Sequence, residues 1–390
     1  MTKLGNKALL PAGLQDVLPP QAGQEAAVVE ALIACFAARG YERVKPPLLE
    51  FEETLLSGAG AAVAQQTFRL MDPVSQHMMG LRADMTPQVA RIAATRLKNA
   101  PRPLRLCYGG QVLRVRGSQL RPERQFGQVG AELIGAPQEG ADAEVVLLAA
   151  EALGAAGVAG LSVDLNLPPL VRAMADSLGL DEERSAALHQ ALDRKDVAAV
   201  GEIAGRQAGS FQALLRAAGP AEEALSALAD QALPEAATGE LARLGRVVEL
   251  IRAAAPDLTL TVDPAEHRGF EYQTGISFIL FAQGVRGELG RGGRYTTEGP
   301  DGPGSGAPES STGFTLFMDT VQRALPEAEP PRRLYLPEGC EAGAARALRE
   351  EGWITLAGLE PVGDDLAEAR RLGCNHALVE GRVVEVKDGG

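Results

Sequence analysis

Between residues 168 and 255 the chain carries helical periods and almost no strand signal, yet strand patterns stand on both sides of this block. A sheet must therefore be assembled from segments separated by a long helical stretch. That points to an α+β architecture with an insertion, not to a run of alternating βαβ units. Upstream, Leu104, Leu106 and Tyr108 alternate in one strand and a second follows near residues 111–115. An arginine-rich loop covers 116–124, and a third strand spans 125–134. Short connections of this kind pair strands antiparallel. Leu161 to Leu165 alternates as a further strand; strand patterns return at 258–263, 269–281 and 285–290, and 312–325 reads as a strand running into a helix.

Helix signals frame the same plan. Residues 22–39 set Val28, Val29, Leu32, Ile33 and Phe36 on one stripe, with Gly40 as the C-terminal cap. A short strand follows, in which Pro46 and Pro47 suit an edge. Thr86-Pro87 is a helix start, hydroxyl cap then proline, and that helix runs to about Asn99; another covers 142–153. A Gly/Pro/Ser-rich loop at 299–310 and a proline-rich linker at 326–331 precede a small α/β unit. The expected organisation is 1–167 with 256–325 as one sheet domain, 168–255 as a helical insertion, and 332–390 as a C-terminal unit.

Composition narrows the function. A net charge of −13 argues against a nucleic-acid partner, because phosphate contacts need a basic face. No apolar run of about 18 residues and no signal-type h-region occur, so the expectation is a cytoplasmic chain with no membrane contact. The four cysteines and four histidines are scattered without ligand spacing, so no metal, disulfide framework or cofactor is expected.

Several segments carry a resemblance. Leu81-Arg82-Ala83-Asp84-Met85-Thr86-Pro87, Gln125-Phe126-Gly127-Gln128-Val129-Gly130-Ala131-Glu132, Arg268-Gly269-Phe270-Glu271-Tyr272 and Gly292-Gly293-Arg294-Tyr295 resemble the active-site segments of class II aminoacyl-tRNA synthetases of the histidyl type. Gly40 to Pro47 is similar to that family's dimer-forming first motif, although an ordinary helix–Gly–strand turn reads the same way. The resemblance covers nearly the whole chain. It implies a class II synthetase-like antiparallel sheet flanked by helices, and a pocket for histidine. In that pocket Asp84 and Thr86 would hold the ammonium, Gln128 and Glu132 would contact the ligand, Arg268 would meet its carboxylate, and Tyr272 and Tyr295 would wall the imidazole. Arg114 would pair with an anion. Thr86 as a plain helix cap, and Gln128 with Glu132 as a solvated strand face, are the structural alternatives. The family has tyrosine where this chain has Gln273.

The departures fall together. Where the second motif should carry glutamate the chain has Arg116; where the third should carry a second glycine and an arginine it has Phe317 and Thr320. Threonine cannot supply the planar cation that stacks on and pairs with a nucleotide. Adenylate formation depends on preorganised positive charge, so this chain should not activate amino acids. The segment between Leu359 and Asp364 is short against the family's anticodon-binding domain, which suits packing or assembly better than tRNA. Arg102, Arg105, Arg114, Arg116, Arg121 and Arg124 form either solvated loop charges or an anion or partner surface.

A retained amino-acid pocket with a lost nucleotide clamp resembles the non-catalytic, regulatory branch of this family. Its members accompany a short-form ATP phosphoribosyltransferase catalytic subunit in the first step of histidine biosynthesis. The resemblance implies a homodimer, that catalytic subunit as hetero-oligomeric partner, and histidine as feedback effector. A divergent synthetase and a stand-alone histidine-binding module are the alternatives.

Overall fold

The computed structural model describes residues 10–118, 121–231, 233–266, 273–299, 307–327 and 330–387. The chain forms two compact units, divided at Pro326–Glu327.

The first unit is built on a nine-stranded sheet. Its strands run in the order Glu42–Arg43, Leu104–Leu113, Gln125–Ile134, Glu309–Phe317, Gly290–Thr297, Gln273–Ala282, Leu161–Asn166, Thr259–Asp263 and Gly219–Pro220. The centre is antiparallel, as the short connections predict. Glu42–Arg43 on Leu104–Leu113 and Leu161–Asn166 on Thr259–Asp263 pair parallel, so the sheet as a whole is mixed. The Gln21–Ala38 helix buries Leu32, Ile33 and Phe36, and Gly40 follows its end at φ +83°.

Among the described residues, 168–255 form six α-helices, Pro168–Asp176, Glu182–Asp193, Val197–Ala204, Ala208–Arg216, Ala221–Ala229 and Glu235–Ala254. Their apolar stripes merge with those of the Glu139–Ala155 helix and the sheet into one continuous core that contains Leu170, Phe211, Leu244 and Phe278. The helical block is thus part of the first compact unit, not a unit of its own.

Four local expectations need correction. There is no break before residue 111: Leu104–Leu113 is one strand, paired along its length with Gln125–Ile134. Gly109 and Gly110, inside this strand, serve close approach. A Cβ at 109 would lie 3.3 Å from Val29, and one at 110 would lie 2.5 Å from an Arg82 nitrogen. Second, Gln283 and Gly284 form a turn closed by the Val285 N–H on the Ala282 carbonyl at 3.2 Å, Gly284 and Gly287 have positive φ, and the strand expected at 285–290 begins at Gly290 and ends at Thr297. Third, the Thr86–Thr95 helix begins at Thr86, which does not cap it with its side chain; the Asp84 carboxylate accepts the Thr86 N–H at 2.8 Å. Fourth, the single strand expected after Gly40 is two, Glu42–Arg43 and Leu49–Phe51, with Pro46 and Pro47 between them. Leu49–Phe51 joins Met78–Leu81 and Phe68–Met71 in a separate three-stranded sheet.

The second unit is a four-stranded sheet in the order Ile354–Ala357, Arg333–Leu336, His376–Val379, Arg382–Glu385. The first two pairings are parallel and the last is a hairpin. Ala342–Glu350 and Asp365–Arg371 are its helices, the latter capped by the Asp364 carboxylate on the Leu366 and Ala367 N–H groups.

Candidate functional site

A cavity of about 590 Å³, within the ordinary range for small-molecule sites, opens over the centre of the nine-stranded sheet. Its floor follows from register. Glu132 lies opposite Gly313, and Gly313 opposite Gly293. A Cβ on Gly313 would meet Glu132 Oε2 at 1.9 Å, so only glycine admits that carboxylate. One strand away, Tyr108 pairs with Gly130, where a Cβ would meet the tyrosine oxygen at 2.5 Å. The glycines let Tyr108 and Glu132 lie flat across neighbouring strands.

Glu132 gathers the polar groups at this end. Thr86 Oγ1 donates to Glu132 Oε1 at 3.0 Å, the Tyr108 hydroxyl to the same oxygen at 3.2 Å, and the Tyr295 hydroxyl to Oε2 at 2.8 Å. Tyr108 also meets Thr315 Oγ1 at 3.0 Å and Thr86 Oγ1 at 3.2 Å. Burial pushes the Glu132 carboxyl up to about 8, against the three hydroxyl bonds and with the help of Asp84's charge. The site therefore holds a proton near neutrality that a cationic ligand can displace. Burial likewise drives Tyr108 well above the ordinary phenol range, so it stays a neutral donor.

The opposite end is arginine-rich. Arg114 is largely shielded and makes no ion pair among the described residues. Its Nε donates to the Ala83 carbonyl at 3.3 Å, and its guanidinium lies 5.1 Å from the Phe126 ring centre. Burial lowers its pKa, as do Arg121 and Arg291, while Asp84 opposes the shift. Such a cation is ready for a carboxylate or phosphate oxygen.

Arg121 is already engaged. Its Nε pairs with Asp319 Oδ2 at 2.9 Å, Nη2 donates to Thr320 Oγ1 at 3.3 Å and to the Glu288 carbonyl at 3.4 Å, and the guanidinium sits 3.8 Å above the Phe317 ring. Phe317 and Thr320, the two departures in the third motif, thus build a seat for an arginine of this same chain, next to where the family's nucleotide clamp would stand.

The Histidyl-tRNA synthetase family model matches residues 13–321. The ATP phosphoribosyltransferase regulatory subunit of Paramagnetospirillum magneticum is 57% identical over 99% of this chain and 100% of that protein. The one of Rhodospirillum centenum is 58% identical over 98% of this chain and 97% of that protein. This chain belongs to the ATP phosphoribosyltransferase regulatory subunit family. A solved ATP phosphoribosyltransferase regulatory subunit/histidyl-tRNA synthetase from Bacillus halodurans has a similar fold, at TM-score 0.76 and 24% identity, over 94% of this chain and 96% of that one.

Within this regulatory-subunit framework, Asp84, Thr86, Arg114, Glu132 and Tyr295 border the one cavity. Gln128 does share the buried face of Glu132. Its Oε1, however, is committed to the Met85 N–H at 2.8 Å and its Nε2 has no partner among the described residues, so it braces the start of the Thr86–Thr95 helix. Arg268 and Tyr272 lie outside the described residues. Arg294, beside Tyr295, turns away from the cavity: it donates to Asp142 through Nε and Nη2 at 3.0 and 2.9 Å, and to the Ala136 and Gln138 carbonyls. Tyr108 and Thr315 escaped the sequence reading. Tyr108 has the same alternation as its core neighbours Leu104 and Leu106, and only the glycine opposite it, Gly130, hints at its reach.

Proposed function

We propose that this chain is the histidine-sensing, non-catalytic subunit of an ATP phosphoribosyltransferase, required for activity of a short-form catalytic subunit and for feedback inhibition by histidine. The observation that carries the reading is the asymmetry of the cavity: polar groups gathered around Glu132 at one end, and at the other Arg121 seated on Phe317 and Thr320, where the resemblance expects the nucleotide clamp. The names of the relatives supply the enzyme and the partnership.

Histidine enters with its ammonium toward Asp84 and Thr86, its imidazole toward Glu132 and Tyr295, and its carboxylate toward Arg114; Arg268 and Tyr272, which the resemblance assigns to the carboxylate and the imidazole wall, lie outside the described residues. Each pairing matches charge or donor to acceptor. Inhibition then follows from linkage: histidine lowers activity by binding the less active state of the complex more tightly. A homodimer through residues 22–50 is the building block, in keeping with the commonest two-fold assembly.

The decisive experiment co-purifies the chain with the short catalytic subunit of the same organism and assays phosphoribosyl transfer to ATP with and without histidine. Activity that needs this chain and falls with histidine supports the reading. Histidine-dependent ATP–pyrophosphate exchange by the chain alone would replace it with a synthetase, and a failure to co-purify would leave a stand-alone binding module.

A further inference from the structure

Behind the cavity, on the reverse face of the same strands, one buried cation is bonded through every donor it has. Arg294 is 3% exposed. Its Nε donates to Asp142 Oδ2 at 3.0 Å. Nη1 donates to the Ala136 carbonyl at 2.8 Å and to Ser310 Oγ at 2.6 Å, and Nη2 donates to Asp142 Oδ2 and to the Gln138 carbonyl, each at 2.9 Å. These bonds use all the N–H groups a guanidinium carries. Room for the stem comes from the next strand, at Gly275, where a Cβ would lie 2.8 Å from Arg294 Cδ.

The contacts tie three strands together. Arg294 stands in Gly290–Thr297, Ser310 stands in the neighbouring Glu309–Phe317, and residues 136 and 138 follow directly on Gln125–Ile134, the strand of Glu132. Ser310 also closes this corner with its carbonyl, which accepts the Gly135 and Ala136 N–H groups, each at 3.0 Å. On the cavity face the next residue, Tyr295, spans the same three strands. Its hydroxyl crosses Glu309–Phe317 to reach Glu132 Oε2 at 2.8 Å. Successive residues of a strand point to opposite faces, so the backbone that Arg294 fixes from behind is the backbone from which Tyr295 reaches.

Stability alone does not call for this arrangement. Two desolvated charges gain little over a well-packed apolar pair of similar volume. Burial raises the Asp142 carboxyl even with the Arg294 charge beside it. What an arginine adds over apolar side chains is direction, because its planar fork fixes several acceptors relative to one another. We propose that Arg294 is a positioning residue for the cavity: from behind the sheet it sets the span between the Tyr295 hydroxyl and the Glu132 carboxylate, and so the affinity for the ligand. The inference rests on the histidine-binding reading above. A site works only when its groups are held within about 0.5 Å of the productive geometry, and here the support lies one layer below the groups it holds.

A double-mutant cycle on the full chain, with histidine affinity read by calorimetry, tests this. Arg294→Lys keeps a cation beside Asp142 but cannot reach Ala136, Gln138 and Ser310 together. Affinity should fall about tenfold, as it should in Tyr295→Phe. The two changes combined should still cost only about tenfold, because the second removes a hydroxyl that the first has already displaced. Ser310→Ala leaves the ion pair intact and reads the same coupling should the lysine variant fail to fold. It should cost about threefold in the parent and less than about twofold in the Tyr295→Phe background. Losses that multiply to about a hundredfold, or parent affinity in the folded single variants, overturn the role of Arg294 alone. A parent that binds no histidine overturns the histidine pocket as well.

Discussion

At the Glu132 end of the cavity three hydroxyls, from Thr86, Tyr108 and Tyr295, converge on one carboxylate. At the Phe317 end a carboxylate, a hydroxyl, a carbonyl and an aromatic face converge on one guanidinium, that of Arg121. The first set leaves its central charge unpaid for by any cation, and burial pushes that charge toward its protonated form. The second set neutralises its central charge from within. The difference teaches which end is available: an unsatisfied acid invites a ligand, whereas a satisfied arginine has already taken the ligand's place.

The largest effect should come from filling the floor at the open end. A Cβ on Gly313 would clash with Glu132 Oε2 at 1.9 Å and with the Ala131 carbonyl, a backbone atom that cannot step aside, at 2.6 Å. Gly313→Ala should lower histidine affinity more than about a hundredfold and cost about 1–3 kcal/mol of stability. Titration calorimetry and thermal melts check both. An alanine variant that binds histidine normally would show that Glu132 is not where the ligand docks.

Breaking the closed end should do the reverse. Arg121 and Asp319 are each about 10% exposed, so Arg121→Ala strands a buried carboxylate. The expected cost is about 3 kcal/mol by chemical denaturation, with histidine affinity changed by less than about threefold. Restoring the family pattern with Phe317→Gly and Thr320→Arg should not yield ATP–pyrophosphate exchange while Arg121 is present, because the introduced cation meets another at its own seat. Exchange in that double variant would show that the cleft is open after all.

How far this asymmetry could be read from sequence depends on range. Asp84, Thr86, Glu132 and Tyr295 stand in segments that the family resemblance marks as pocket-forming, and they border the same cavity. The strand of Glu132 was expected at 125–134 and is found there, and the helical block was recognisable from its periods, whereas the strand of Tyr295 was expected at 285–290 and runs from Gly290 to Thr297. The seat of Arg121 was not, because it joins a loop to residues 319 and 320, far along the chain, through a register no local pattern encodes. The glycines at 130, 293 and 313 look like turn formers or sheet weaknesses until the neighbouring strand is known. The Leu49–Phe51, Phe68–Met71 and Met78–Leu81 strands are too short for alternation to declare them.

A further test reads the proton at the open end. A carboxyl raised to about 8 in the folded chain, against an ordinary value of about 4.3 unfolded, is more protonated in the native state between those limits. The folded state then binds more protons, so stability falls as pH rises through that window, by at most about 1.4 kcal/mol per pH unit. Glu132→Gln should remove this slope, so that the variant gains on the parent from pH 5 to pH 8 in urea denaturation. Parallel pH profiles would mean that Glu132 is ionised throughout and that its hydroxyl neighbours outweigh its burial.

The smallest effect is expected where the two ends meet. Thr315 lines the cavity and touches Glu132 only through Tyr108, hydroxyl to hydroxyl at 3.0 Å. Thr315→Val keeps the shape and removes one neutral hydrogen bond, for about 1 kcal/mol. Tyr108 retains Thr86 at 3.2 Å and Glu132 at 3.2 Å, so its ring and its donor stay in place. Histidine affinity should therefore move by less than about threefold, and Arg121, seated on the far side of Phe317, should not respond. A loss approaching that of Gly313→Ala would mean that the hydroxyl chain, and not the Glu132 carboxylate alone, organises the pocket. The two ends of the cavity would then be one coupled network, in which a change at the closed end could reach the ligand.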